Sequence, residues 1–192
     1  MDIKLYHSLT EYYSSSDFKS ILLDPTGFNT KFSKGENEEM EYKDALVFGS
    51  YIHTALLEPH LLAANYTFYE DIRRGKYWDL FKARNSDKEI LSNKQKHMAD
   101  KLLSYHSGHS TAKSLLSNGR AETSLFGTYK DIPVKVRPDY LIEYPDHIKV
   151  VDIKTTSDTP NPKFMKNLCY KFNYDLSAAL YSDVVSTFYK GK

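Results

Sequence analysis

Asp139, Asp152 and Lys154 are the residues of this sequence whose types and spacing could do chemistry. In the run from Ile148 to Lys154, strand alternation puts Ile148, Val150, Asp152 and Lys154 on one face and Val151 and Ile153 on the other, so an acid and a lysine project together. Asp139 stands in Arg137-Pro138-Asp139 on the preceding strand, and a short hairpin can carry it beside Asp152. Two carboxylates so placed repel each other. A divalent cation removes that repulsion, and carboxylate oxygens are ligands that hard Mg²⁺ or Mn²⁺ prefers. Asp-x-Lys spacing alone is weak evidence, because Asp2-Ile3-Lys4 and Asp17-Phe18-Lys19 share it. Asp139 also suits a turn after proline, and Asp152 with Lys154 suits a cross-strand ion pair. Those readings leave unexplained why two acids and a lysine should meet at one strand site.

The elements that must position these groups change period near residue 118. From Ser16 to about Leu116 the pattern is mainly helical: Ser15 and Ser16 can cap a helix carrying Phe18, Ile21 and Leu22, which Asp24-Pro25 stops. Gly27 to Glu41 reads as a loop. Tyr42 to Glu58 then spaces Ala45, Leu46, Ile52, Ala55 and Leu56 as a helix that should be largely buried, with Pro59 at its end. Arg73 to Lys101 is rich in Lys and Arg interleaved with Tyr77, Trp78 and Phe81 in a helical setting. A solvated helix face explains it, and so does a strip that meets nucleic-acid phosphates. Thr123 to Phe126, Pro133 to Glu143 and His147 to Thr155 read as three strands of a meander, with turns at 127–131 and 144–146. After Pro160 and Pro162 the helical pattern returns, interrupted near Asn173.

The 192 residues suit a single domain, with residues 1–118 as a mainly helical portion and 119–192 as the meander plus C-terminal helix. The expected class is α+β or α/β, a small mixed, mostly antiparallel sheet flanked by helices. Lys and Arg total 26 against 25 Asp and Glu, so a polyanion must be met by a local patch rather than by net charge. One cysteine, Cys169, excludes an internal disulfide and a four-cysteine metal or iron–sulfur site within one chain. The first ten residues hold no apolar run of a secretory signal, and no stretch reaches the about 18 apolar residues of a membrane span, so no membrane partner and a cytoplasmic location are expected.

Taken together, Arg137-Pro138-Asp139 and Val151-Asp152-Ile153-Lys154-Thr155-Thr156 resemble the motif of the PD-(D/E)xK nuclease superfamily. The segment from Phe48 to Pro59, with Gly49, His53, Leu56, Leu57 and Pro59, is similar to the histidine-bearing helix of its RecB-like branch. Tyr6-His7, Ser15-Ser16-Asp17-Phe18-Lys19, Asp24-Pro25 and Ala121-Glu122-Thr123-Ser124 resemble the phage and prophage exodeoxyribonuclease VIII (RecE) type, so the similarity spans nearly the whole chain. The resemblance implies a restriction-endonuclease-like core. It implies that His53, Asp139, Asp152 and the main-chain carbonyl of Ile153 bind Mg²⁺, with Mn²⁺ as a substitute, and that Lys154 orients or deprotonates water beside the catalytic Asp139 and Asp152. Glu122, Arg137, Thr155, Tyr174, Ser177 and Tyr181 are candidates for supporting or DNA-contacting roles. The implied activity is 5′ to 3′ exonucleolytic cleavage of duplex DNA in phage or prophage recombination, with a single-strand annealing protein as partner and a homo-oligomer as assembly, in the host cytoplasm.

Without the other motifs, His53 is by default a satisfied core histidine. Tyr174 and Tyr181 are by default packing residues with a polar tip, and Cys169 a small apolar one. The sequence departs from the family where Ser177 replaces the glutamine expected between Tyr174 and Tyr181, and a further strand expected after that helix does not follow. These departures motivate an alternative: a shortened, non-catalytic nuclease-fold protein that binds DNA or a partner.

Overall fold

The computed structural model describes residues 1, 3–28, 40–156 and 161–189. They group into two compact units, one built from 1–37, 118–152 and 156–192, the other from 38–117 and 153–155. The α+β class holds.

In the first unit, α1 (Ile3–Ser8) and α2 (Ser15–Leu23) precede five strands and two helices. Ser14 caps α2: its hydroxyl accepts from the Asp17 amide, and the Asp17 carboxylate accepts from the Ser14 amide at 2.6 Å. The cap therefore sits one residue before the serines expected to supply it, because only Ser14 lies three residues from an acid that can reach back. Residues 25–28 are helical, and most of the loop expected over 27–41 lies outside the described residues.

The strand expected over Pro133–Glu143 is two strands. β3 (Arg120–Ala121), β6 (Tyr140–Glu143) and β7 (Ile148–Val151) form an antiparallel sheet in the order β3-β6-β7, while β4 (Leu125–Tyr129) and β5 (Ile132–Val136) form a separate hairpin. Arg137-Pro138 divides them: proline has no amide hydrogen for a ladder, so the chain changes sheets there. The strand expected to run to Thr155 ends at Val151, and residues 152–156 are irregular. One edge of the hairpin is covered by the segment before α2, where Lys135 donates its amide to the Tyr13 carbonyl at 2.9 Å and Tyr13 donates to Pro133 at 3.0 Å.

The core of this unit joins Leu125, Val134, Val136 and Leu141 to Leu180, Val184 and Val185 of α9 (Tyr174–Phe188). Asn173, with φ 48° and ψ 48°, breaks the helical run between α8 (Pro162–Lys171) and α9. Asparagine tolerates that left-handed conformation better than most residues. Gly119 fills a place no side chain could take, since a Cβ would run into the Leu141 carbonyl and the Tyr140 ring.

In the second unit, α3 (Met40–Leu57) leads through a 3₁₀ turn (Pro59–Leu61) and α4 (Leu62–Asn65) to β1 (Tyr66–Tyr69), then α5 (Gly75–Arg84), β2 (Glu89–Ser92), α6 (Asn93–Gly108) and α7 (Ser110–Leu115). β1 and β2 pair in parallel. The basic run 73–101 thus contains a strand as well as helices. Tyr51 and Ile52 of α3 pack with Tyr66, Leu91 and Ala99. Among the described side chains of α3, Asp44, Ala45 and Leu46 are exposed while Tyr51 and Ile52 are buried. Arg73 ties this unit together: its guanidinium reaches the Asp44 carboxylate at 3.1 Å, the Ile90 carbonyl at 2.7 Å and the Gln95 side chain at 3.1 Å. Among the described residues, no helix is long and apolar enough to cross a membrane.

Candidate metal centre

Strand register decides what meets at the end of the β3-β6-β7 sheet. Ala121 is opposite Tyr140, and Tyr140 is opposite Val151. One step further along each pairing lie Glu122, Asp139 and Asp152, so three acids form one row across three neighbouring chain segments. The Glu122 amide donates to the Asp139 carbonyl at 3.0 Å, which fixes the first pair. A carboxylate oxygen of Glu122 lies within 4.8 Å of one of Asp139, a grouping that leaves Asp152 outside. Asp139 is 8% exposed, whereas Asp152 faces solvent.

Glu122 sits at φ 47°, in the left-handed region that disfavours an ordinary side chain. Its carboxylate is held there by Arg137, whose Nε donates to Oε2 at 2.7 Å. The same guanidinium donates to Ser124 Oγ at 2.7 Å and to the Met1 carbonyl at 3.0 Å. Backbone held in a sparsely populated conformation by its surroundings clusters at functional sites.

Tyr181 stands over the row from α9. Burial first, then the negative charges of Asp152 and Asp139, push its phenol up to about 12, with Glu122 adding to the shift and a hydrogen bond with Ser15 opposing it. The hydroxyl therefore keeps its proton. Ser177, one turn earlier on the same helix, is 6% exposed and faces the interior with Leu180 and Val184. Tyr174, two turns before Tyr181 on the same face of α9, has its ring stacked on Phe172 at 5.6 Å, with the Lys19 ammonium 5.3 Å from its centroid.

A cavity of about 420 Å³ opens beside Glu122 and Arg137, lined also by Tyr6, His7, Ser15 and Tyr181. Lys135 reaches its wall from a buried position, donating Nζ to the carbonyls of Tyr6 at 2.9 Å and Leu9 at 2.7 Å. Burial, with Lys135 and Arg137 nearby, holds the His7 imidazole below its usual range. The sequence reading passed over Lys135, which looks like any outward lysine in an alternating strand; only the crossing of the N-terminal segment buries it.

The remaining motif residues belong to the second unit. His53 lies on α3, four residues after Gly49. Gly49 leaves room for the segment that carries Ile153, Lys154 and Thr155, since a Cβ there would stand 3.1 Å from Thr155 Oγ1. Lys154 is exposed and donates Nζ to the Ile153 carbonyl at 3.3 Å.

The donor chemistry of the acid row fits a hard divalent cation. Carboxylate oxygens of Glu122 and Asp139 are close enough to repel, and Asp139 has little water to relieve it.

The sequence profile of the family described as "PDDEXK-like domain of unknown function (DUF3799)" matches residues 14–192. Among solved structures, the chain is similar to a protein from Eubacterium rectale named "Putative exonuclease", at a TM-score of 0.64 and 19% identity, with 97% of this chain and 68% of that chain covered. Likeness at that identity speaks for the fold. No curated protein matches the sequence.

Proposed function

Because this chain belongs to the PDDEXK-like domain family, within the PD-(D/E)xK superfamily, we propose that it is a metal-dependent deoxyribonuclease that hydrolyses phosphodiester bonds. The narrower reading is a 5′ to 3′ exonuclease on duplex DNA of the RecE type. It acts in the bacterial cytoplasm in phage or prophage recombination, as a homo-oligomer beside a single-strand annealing protein. The row of Glu122, Asp139 and Asp152 across the sheet carries this reading. The name of the Eubacterium rectale protein agrees with it.

Asp139, Asp152, His53 and the Ile153 carbonyl would hold Mg²⁺ or Mn²⁺, with Glu122 beside them. Such an ion, when bound, lowers the pKa of water and offsets charge building on the scissile phosphate. Lys154, on an irregular segment open to solvent, orients the attacking water or takes its proton. Tyr181 presents a neutral hydroxyl to the acids rather than a fourth negative charge. Arg137 holds the Glu122 carboxylate in place, and Thr155 and Tyr174 would take supporting roles.

Purified protein with Mg²⁺ should degrade linear duplex DNA, and Asp152→Ala or Lys154→Ala should lower the rate by about 10²- to 10³-fold or more with the circular-dichroism spectrum unchanged. Labels on 5′ and 3′ ends read the polarity. Absence of metal-dependent degradation on every end structure overturns the reading. One observation favours the non-catalytic alternative: Ser177 is buried and short where the resembled family carries a longer glutamine. DNA binding without any cleavage would decide for it.

A further inference from the structure

α8 carries Lys163, Lys166 and Lys171 and no acid among its ten residues. Its rings are not put away: Phe164 is 51% exposed, Tyr170 65% and Phe172, just past its end, 41%. At 100° per residue, Lys163, Lys166, Asn167 and Tyr170 fall on one stripe, with Lys171 and Phe164 along its edge. The opposite side is anchored by buried Leu168. The pattern continues off the helix, where Phe172 stacks on Tyr174 and the ammonium groups of Lys171 and Lys19 lie 5.2 Å and 5.3 Å from those two rings.

Solvent alone would be served by the lysines and gives no reason to expose the rings. An acidic protein surface would match the lysines but not stack on the rings. A nucleic-acid strand takes both, phosphates against ammonium groups and base faces against aromatic ones. In a duplex the base faces are covered by their neighbours, so stacking on Tyr170 requires an unpaired strand. We propose that α8, with Lys19 and Tyr174, is a landing surface for an unpaired DNA strand, with Lys163 and Lys166 on its phosphates and Tyr170 under a base. This rests on the reading of the chain as one that acts on DNA. An unpaired strand is what remains when one strand of a duplex end is digested.

The experiment is a fluorescence titration of a labelled oligothymidylate and of a matching duplex in the presence of a chelator, where cleavage plays no part. The full chain should prefer the single strand. Tyr170→Ala should weaken single-strand binding about fivefold or more while Tyr170→Trp retains it. Lys163→Gln with Lys166→Gln should flatten the dependence of log affinity on log salt by about 0.7 per lysine removed. Equal affinity for duplex and single strand with no effect of Tyr170→Ala overturns the proposal, and so does an unchanged salt slope in the double lysine variant. A chain that cleaves DNA yet shows those unchanged values loses α8 and keeps the nuclease reading. One that binds through α8 but never cleaves does the reverse.

Discussion

Arg137 concentrates several demands in one side chain. It neutralises Glu122, bonds Ser124 and holds the Met1 carbonyl. Replacing it by glutamine leaves the Glu122 carboxylate beside Asp139 with its cation gone. Arg137→Gln should lower stability by about 2–3 kcal/mol in urea denaturation, below the full cost of breaking a buried pair because both side chains keep some water contact. His7 gives a pH signature. Its folded-state pKa lies below the ordinary 6.5, through burial first and then Lys135 and Arg137. As pH falls through 6.5 the unfolded chain takes up a proton that the folded chain resists, so the His7 contribution, complete above that value, is lost toward the folded pKa. Denaturation midpoints measured on both sides of 6.5 should fall on acidification in the parent and fall less in His7→Gln. At this scale Asp139, Asp152 and Lys154 stand out in the sequence by type and spacing once the neighbouring motifs supply the context. The sequence could not show the pinning of Glu122 in a left-handed conformation, because that depends on a guanidinium fifteen residues away.

Among the elements, caps and prolines set the boundaries more firmly than hydrophobic spacing. Ser14 and Asp17 close a capping box at α2, and Ser14→Ala should cost about 1 kcal/mol, read as a lowered midpoint in thermal or urea unfolding. Ser92 and Gln95 close another at α6. The helices around Tyr51 and Leu180 were legible because their apolar positions recur at helical intervals. The single strand expected over 133–143 was not, because alternation continues across Pro138 while the hydrogen-bonding partner changes. Periodicity reports which face is buried and is silent about which neighbour a strand pairs with. For the same reason helical spacing placed Leu46 of α3 among the positions of a largely buried helix, yet it is 58% exposed.

At the scale of the molecule, two cores stand on separate sets of residues, Leu141 and Val184 in one unit and Leu91 and Ala99 in the other. Leu91 is fully buried, and Leu91→Ala should destabilise its unit by about 2–5 kcal/mol. Hydrogen exchange resolved by residue should show the loss concentrated in 38–117. Composition and period located the change from helical to strand-rich character near residue 118, but grouping residues 1–37 with the strands depends on long-range pairings such as Tyr13 with Val134 that no local pattern announces. The hairpin of β6 and β7 turns through 144–147, on the surface and at the opposite end of the two strands from Asp139 and Asp152. Since neighbouring positions on a strand point to opposite sides, one residue gained or lost in that bend would turn Asp152 away from Asp139 without touching either. The length of an outlying loop, rather than its chemistry, is therefore what keeps the carboxylates in line, and tolerance of substitution there should coexist with intolerance of insertion.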